Sequence, residues 1–213
     1  MRVCVLGANG FIGKNIMHPD WIGVSREKLN LLDQKAVDTF FSERWDVVIH
    51  CAASLDQNSE ETSYKNILMF ENVFRSIHNI GKLIYFSSGA ARRGNPPTDP
   101  YGLSKWIIEK RIAHIPSVYC VRLWGCYGDG ELPNRFSAVC KEKGHVIIQK
   151  DRYFDFIDVK NVKQVVENYI ENGGHKFLDL GEKYLLSEWA TKFGATYEII
   201  EDGLGETYSH LEI

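Results

Sequence analysis

The chain has 213 residues, enough for one domain or one domain with a small appendage. Its 44% hydrophobic and 25% charged content is ordinary for a globular protein, and a net charge of −3 gives no electrostatic reason to expect nucleic acid or an anionic membrane as partner. No apolar run approaches a membrane span, no signal-peptide pattern precedes the first strand, and Cys4, Cys51, Cys120, Cys126 and Cys140 show no CxxC pairing, so a cytoplasmic protein with free thiols and no metal site is expected.

Apolar runs and helical stretches alternate from the first residue. Strands are expected at Val3–Leu6, Trp21–Val24, Asp46–Ala52, Leu83–Ser87, Ser117–Leu123 and Lys176–Leu180. Helices are expected at Phe11–Met17, 34–43, 60–79, 101–115 and 160–171. Continuous β-rich runs alternating with helices predict an α/β fold, a doubly wound parallel sheet covered on both faces, with ligands at the carboxyl ends of the strands. The stretches at about 128–155 and 182–213 break this rhythm. Each holds a helix-like and a strand-like piece but too few apolar residues for a core of its own. They are expected to fold onto the sheet's carboxyl edge as a small cap on a single domain, 1–213.

Two motifs carry chemistry. The run VLGANGFIG places Gly7, Gly10 and Gly13 between a strand and a helix, where a glycine turn can cradle a dinucleotide's pyrophosphate. Asn9, Phe11 and Ile12 complete that turn. Further on, DPYGLSK sets Tyr101 and Lys105 one helical turn apart on one face. An ammonium there would hold down the phenol's pKa and let it trade a proton. Pro100 disfavours helix before it, which puts Tyr101 at a helix start.

The GxxGxxG spacing with YxxxK downstream resembles the extended branch of the short-chain dehydrogenase/reductase superfamily, the NAD-dependent epimerase/dehydratase enzymes acting on nucleotide sugars, with a Rossmann-like fold. The likeness runs over roughly 1–180 through VLGANGFIG, LNLLD at 29–33, IHCAA at 49–53, Asn66, YFSSG at 85–89, YGLSK at 101–105, VRLWGCYGDG at 121–130 and YFDFIDVKNV at 153–162. It is most similar to the GDP-4-keto-6-deoxymannose reductase/GDP-fucose synthase and dTDP-4-dehydrorhamnose reductase groups. The resemblance implies that Ser88, with Ser87 its neighbour, hydrogen-bonds the reacting sugar oxygen. It implies that Tyr101 protonates that oxygen and that Lys105 grips the nicotinamide ribose. Asn30 and Leu31 fall at adenine-contacting positions, and Cys51, Ala52 and Ala53 line the adenosine and ribose side. Asn66 supports the active-site region. Relatives dimerise through the Tyr-Lys helix and its partner, although the apolar faces of 60–79 and 101–115 equally suit packing on their own core.

The second strand ends in Val24-Ser25-Arg26 with no acid for a ribose 2′-hydroxyl. Ser25 and Arg26 can both donate to a 2′-phosphate, so NADP is expected and NAD is the alternative, with Glu27 opposing that role if it faces the same way. Gly89 and Ala90 follow Ser88 where sugar-nucleotide dehydratases carry Asp-Glu, which argues against dehydration. Ala90 and Asn134 stand where epimerising relatives carry Cys and His. His50 reads as a satisfied core residue. Tyr101 follows Ser88 by only thirteen positions. Arg92 or its neighbour Arg93, Arg135 and Arg152 are the candidates for holding a substrate diphosphate. The expected activity is NADPH-dependent reduction of a 4-keto sugar nucleotide. An NAD-dependent C4 epimerase and a catalytically silent dinucleotide-binding regulator are the rivals.

Overall fold

The structure is a computed structural model and describes residues 1–212. Six parallel strands form the central sheet: β1 (Val3–Leu6), β2 (Ile22–Val24), β3 (Trp45–His50), β4 (Ile80–Ser88), β5 (Val118–Leu123) and β9 (Phe177–Leu180), in the order β2-β1-β3-β4-β5-β9. The order reverses direction between β1 and β3, so a crevice opens beyond their carboxyl ends. β1 is buried along its whole length, as its unbroken apolar run requires in a sheet covered on both faces. On one face α2 (Gln34–Phe40), α3 (Glu61–Phe74) and α4 (Pro100–Ile112) bury Val37, Phe70, Val73, Ile108 and Ile112 against Leu6, Val48 and Leu83. On the other, α1 (Phe11–Ile16) and α6 (Val159–Asn172) bury Ile16, Val162 and Val166 against Val5, Ile49 and Val121.

Local chemistry sets the helix ends. Asp33 and Asp158 cap α2 and α6 by accepting from Ala36 N–H (3.1 Å) and Lys160 N–H (2.9 Å). Asp99 caps α4 through Gly102 N–H at 2.7 Å, with Pro100 in the first turn, where a missing N–H costs nothing. The expected helix 60–79 stops at Phe74, and a separate turn at 77–79 leads into a β4 that starts three residues earlier than expected.

Beyond β5 the chain builds more than two appended pieces. β8 (Tyr153–Asp158) joins β6 (Cys126–Tyr127) and β10 (Glu182–Leu185) in a second sheet, while β7 (His145–Asp151) pairs with β11 (Thr196–Leu204) in a third. With α5 (Phe136–Lys143) and α7 (Leu186–Lys192) they enclose Cys140, Ile148, Phe156 and Trp189 in a shared third core. Neither stretch could bury these residues alone; together they do. Among the described residues no helix is long and apolar enough to cross a membrane.

The sheet and α4 are locked by a buried ion network. Glu109 on α4 accepts from Arg122 Nε (2.7 Å) and Nη2 (2.9 Å) and from the Ser87 hydroxyl (2.6 Å). Arg122 Nη1 reaches Asp179 Oδ2 at 2.9 Å, and Trp124 Nε1 donates to the other oxygen of Asp179 at 2.9 Å. Both Glu109 and Arg122 side chains are 7% exposed. Breaking one side of such a pair strands a buried charge. Glu109→Ala should therefore cost about 3–5 kcal/mol in chemical denaturation. Removing Glu43, which pairs with Arg2 on the open surface, should cost no more than about 1 kcal/mol.

Candidate active site

The glycine turn forms the first half of the crevice. Gly7 has φ +81°, and a Cβ there would lie 2.7 Å from the backbone nitrogen of Ala52; a Cβ on Gly13 would lie 2.2 Å from the Gly7 carbonyl oxygen. Only glycine fits either position, and the turn packs directly against the Cys51–Ala53 segment at the end of β3. Gly10 starts α1 without a side-chain cap, so no side chain occupies the N–H groups of the first turn, where Phe11 and Ile12 follow and Asn9 is exposed. Beside it lies an open cleft of about 530 Å³ lined by Ala8, Asn9, Met17, Gly23, Ser25, Glu27 and Lys28. A backbone cradle that any side chain would fill, opening into a cleft at the ends of β1 and β2, fits a dinucleotide.

The 25–31 segment departs from expectation. The Ser25 hydroxyl donates to Glu27 Oε2 at 2.6 Å, and this hydrogen bond holds the carboxyl below its usual range. Glu27 thus faces the same cleft as Ser25, whereas Arg26 is exposed and outside the lining. The cation in the lining is Lys28, whose Nζ donates to the Gly23 carbonyl at 3.1 Å. Asn30 Oδ1 accepts from Leu32 N–H at 3.2 Å, which makes it a turn residue. The Leu31 side chain is buried in the first core and leaves almost no surface for a ligand.

The second half sits at the end of β4. Ser88 Oγ accepts from Ala90 N–H at 3.2 Å, capping the short helix 89–92. Tyr101 opens α4, and Lys105 follows one turn later. The Lys105 ammonium is buried, donates to the Phe86 carbonyl at 2.8 Å, and lies 4.7 Å over the Tyr85 ring and 5.7 Å over that of Tyr101.

The electrostatics run against the sequence expectation. Burial pushes Tyr101 up to about 12; hydrogen bonding from Ser88 and the charges of Arg135 and Arg93 only partly oppose it. Lys105 is not among those opposing groups. Burial instead pushes Lys105 itself down to about 8. A phenol at about 12 stays protonated at neutral pH, the state a proton donor needs.

The arginines sort by geometry. The charges of Arg135, the residue before α5, and of Arg93 lower the Tyr101 phenol slightly, and Arg93 also pairs with Asp99 at 3.8 Å. Arg92 and Arg93 are both exposed at the end of the short helix; Arg93 is the one that pairs with Asp99 and packs 4.9 Å over the Tyr208 ring. Arg152 is exposed and packs 5.8 Å over Phe154. Asn66 is buried, not solvent-facing: Oδ1 accepts from Ser54 N–H (2.7 Å), and Nδ2 donates to Ser54 O and Ser104 Oγ (both 3.1 Å). It ties the segment after β3 to the helix carrying Tyr101. His50 is buried, but neither ring nitrogen has a hydrogen-bond partner, and burial pushes it down to about 3, so it stays neutral. Burial raises the Cys126 thiol to about 12, which leaves it a poor nucleophile or base.

The low pKa of Lys105 sets a pH signature. Below about 8 its buried charge is a constant penalty. From there up to the unfolded value of 10.5 the unfolded chain holds more protons, so stability rises with pH. In Lys105→Met that rise, about 3 kcal/mol, should disappear from denaturation curves compared at pH 8 and pH 10.5.

Known proteins agree with this architecture. Residues 3–176 match the model of the NAD dependent epimerase/dehydratase family. No curated protein matches the sequence significantly. Among solved structures, a dTDP-4-dehydrorhamnose reductase from Clostridium acetobutylicum superimposes with a TM-score of 0.78 at 22% identity, over 93% of this chain and 83% of that one. The Bacillus anthracis dTDP-4-dehydrorhamnose reductase in complex with NADP gives 0.78 at 20% identity, over 93% and 84%. The Bordetella bronchiseptica enzyme WbmH in complex with NAD+ gives 0.79 at 16%, over 95% and 86%. The likeness to these structures is one of fold, and the family match spans most of the chain: it belongs to the NAD dependent epimerase/dehydratase family.

Proposed function

We propose that the protein reduces the 4-keto group of a sugar nucleotide to the alcohol with NADPH. The observation that carries this reading is that Ser88 ends β4 while Tyr101 and Lys105 share the first turns of α4, Lys105 lying 5.7 Å over the Tyr101 ring, in a sheet whose first strand ends in the glycine cradle. The similar folds of two dTDP-4-dehydrorhamnose reductases, one in complex with NADP, support it. The turn around Gly7, Gly10 and Gly13 would hold the pyrophosphate, and Lys105 the nicotinamide ribose. When bound, the cofactor supplies the hydride that adds to C4. Ser88 polarises the C4 oxygen by donating a hydrogen bond. Tyr101 transfers its proton to that oxygen and recovers one from solvent, so the net change is one hydride and one proton added across C=O. Arg135 and Arg93 would hold the substrate's diphosphate. A homodimer packed through α3 and α4, where Trp106 and Ile107 are only partly buried, belongs to the same proposal.

Dehydration and C3/C5 epimerisation lack their acid–base groups. Ala90 is buried in the short helix, and burial holds the Cys126 thiol protonated. A C4 epimerase would use the same Ser88, Tyr101 and Lys105 with NAD. Glu27 facing the cleft favours that second reading, because a carboxylate there can accept from a ribose 2′-hydroxyl.

Incubation with NADPH and a set of dTDP- and GDP-linked 4-keto sugars tests the proposal, with nicotinamide absorbance as the readout. A reductase consumes NADPH steadily, whereas an epimerase interconverts sugars without net consumption. Tyr101→Phe should lower turnover by about 10²- to 10⁴-fold and leave dinucleotide affinity largely unchanged. A silent dinucleotide-binding regulator would show no turnover to lose. Glu27→Gln removes a negative charge from the cleft. It should raise the kcat/KM ratio of NADPH over NADH by about tenfold, or about 1.4 kcal/mol.

A further inference from the structure

The C-terminal segment, outside both the sequence motifs and the family match, returns to the catalytic crevice. Residues 205–211 run as a strap along β8. Gly205 N–H donates to Asp151 O (2.7 Å), Tyr208 N–H to Tyr153 O (2.9 Å), and Asp155 N–H to Tyr208 O (3.0 Å). Asp155 is fully buried, and its Oδ2 accepts from the His210 backbone N–H at 2.8 Å and contacts His210 Nδ1 as well. This double hold fixes the residue two positions earlier. The Tyr208 ring packs 4.9 Å from Trp124 and 4.8 Å from Phe154, with the Arg93 guanidinium 4.9 Å from its centroid. Trp124 is itself pinned by Asp179.

That packing needs only a ring, so a phenylalanine would serve it. The hydroxyl is placed elsewhere: a Cβ on Gly89, the residue after Ser88, would come within 2.9 Å of Tyr208 Oη. Burial raises the Tyr208 phenol, and Arg93 and Ser88 are the groups that oppose that rise. The strap thus carries a hydroxyl to the end of β4, against the residue that follows Ser88.

We propose that Tyr208 is a third catalytic hydroxyl, donating a hydrogen bond to the same substrate oxygen that Ser88 and Tyr101 address. The proposal rests on the reductase reading above. A carbonyl oxygen has two lone pairs, which two donors satisfy; the alkoxide forming at C4 has three. A third donor therefore gains most as negative charge develops, and it acts on the transition state more than on substrate binding.

Tyr208→Phe keeps every ring contact and removes only the oxygen. Its kcat with NADPH and a 4-keto sugar nucleotide should fall by about ten- to a hundredfold, while KM and the dinucleotide Kd stay within about twofold. His210→Ala, which frees the strap from Asp155, should lower kcat in the wild-type background and add little to Tyr208→Phe, because both act through one hydroxyl. A Tyr208→Phe enzyme with wild-type kcat would overturn the proposal, as would a loss expressed only in KM. So would a gain of activity in either variant, which would make the strap a plug over the crevice. A wild type that reduces no 4-keto sugar nucleotide refutes the reductase reading itself, a result distinct from an active wild type indifferent to Tyr208→Phe.

Discussion

The position of the Tyr101 phenol depends on a charge that the fold had to bury. Arg122 lies on β5 beneath α4, and a guanidinium in that place is tolerable only because Glu109 takes two of its N–H groups and Asp179 a third. The same arrangement joins four elements. Glu109 fixes α4, Ser87 ties in β4, and Asp179 ties in β9 and reaches out to Trp124. Ser87 and Ser88 are neighbours on one strand, so their hydroxyls cannot both serve one face. Ser87 is spent on the network, and Ser88 is left for the crevice. Tyr101 is held by the other end of the helix that Glu109 anchors.

Burial rather than the Tyr–Lys pairing governs the proton chemistry. Side chains at i and i+4 do share a helix face, and Lys105 does lie over the Tyr101 ring. Its ammonium, however, turns to the Phe86 carbonyl, and both groups are removed from water. Each then moves toward its neutral form: Tyr101 up to about 12, Lys105 down to about 8. A neutral phenol is the competent form for giving a proton to a carbonyl oxygen, whereas the reverse reaction needs a phenolate. The protonated phenol is thus the form that the proposed reduction would use. The charges that do favour the phenolate, Arg135 and Arg93, come from outside the motif.

How much of this could be read from the sequence follows from the range of the interactions involved. Strands buried on both faces announce themselves as unbroken apolar runs, and VCVL at β1 is one. The glycine turn is legible because its constraint is local: a positive φ at Gly7, and at Gly13 no room for a Cβ against a residue six positions earlier. Asp99-Pro100 marked the start of α4 for the same reason. Arg92 and Arg93 are indistinguishable in sequence, because the choice depends on how a short helix leaves β4. Glu27 turned toward the cleft through a hydrogen bond to Ser25, and no pattern in the chain foretold that rotamer. The Asn66 clamp was legible as a position but not as a geometry, since its partners lie on two other segments.

The strap was the least legible part, for a physical reason. Its run GETYSHLE is polar and too short for periodicity, so nothing in it signals burial. Its order comes from elsewhere: β8 offers backbone groups to Tyr208, and Asp155 offers a carboxylate that is wholly buried and would otherwise lack a partner for Oδ2. Asp155 in turn sits where it does because Gly125 and Gly181 carry no side chains; a Cβ at either would strike its backbone oxygen or its own Cβ, at 2.6 and 2.5 Å. Two glycines thus make room for an aspartate, the aspartate holds a histidine, and the histidine sets a tyrosine against Gly89. All of these links are short-range in space, and all but the step from His210 to Tyr208 are distant in sequence. The crevice thus gains a wall from residues 205–211, and the hydroxyl on that wall lies against the residue that follows Ser88.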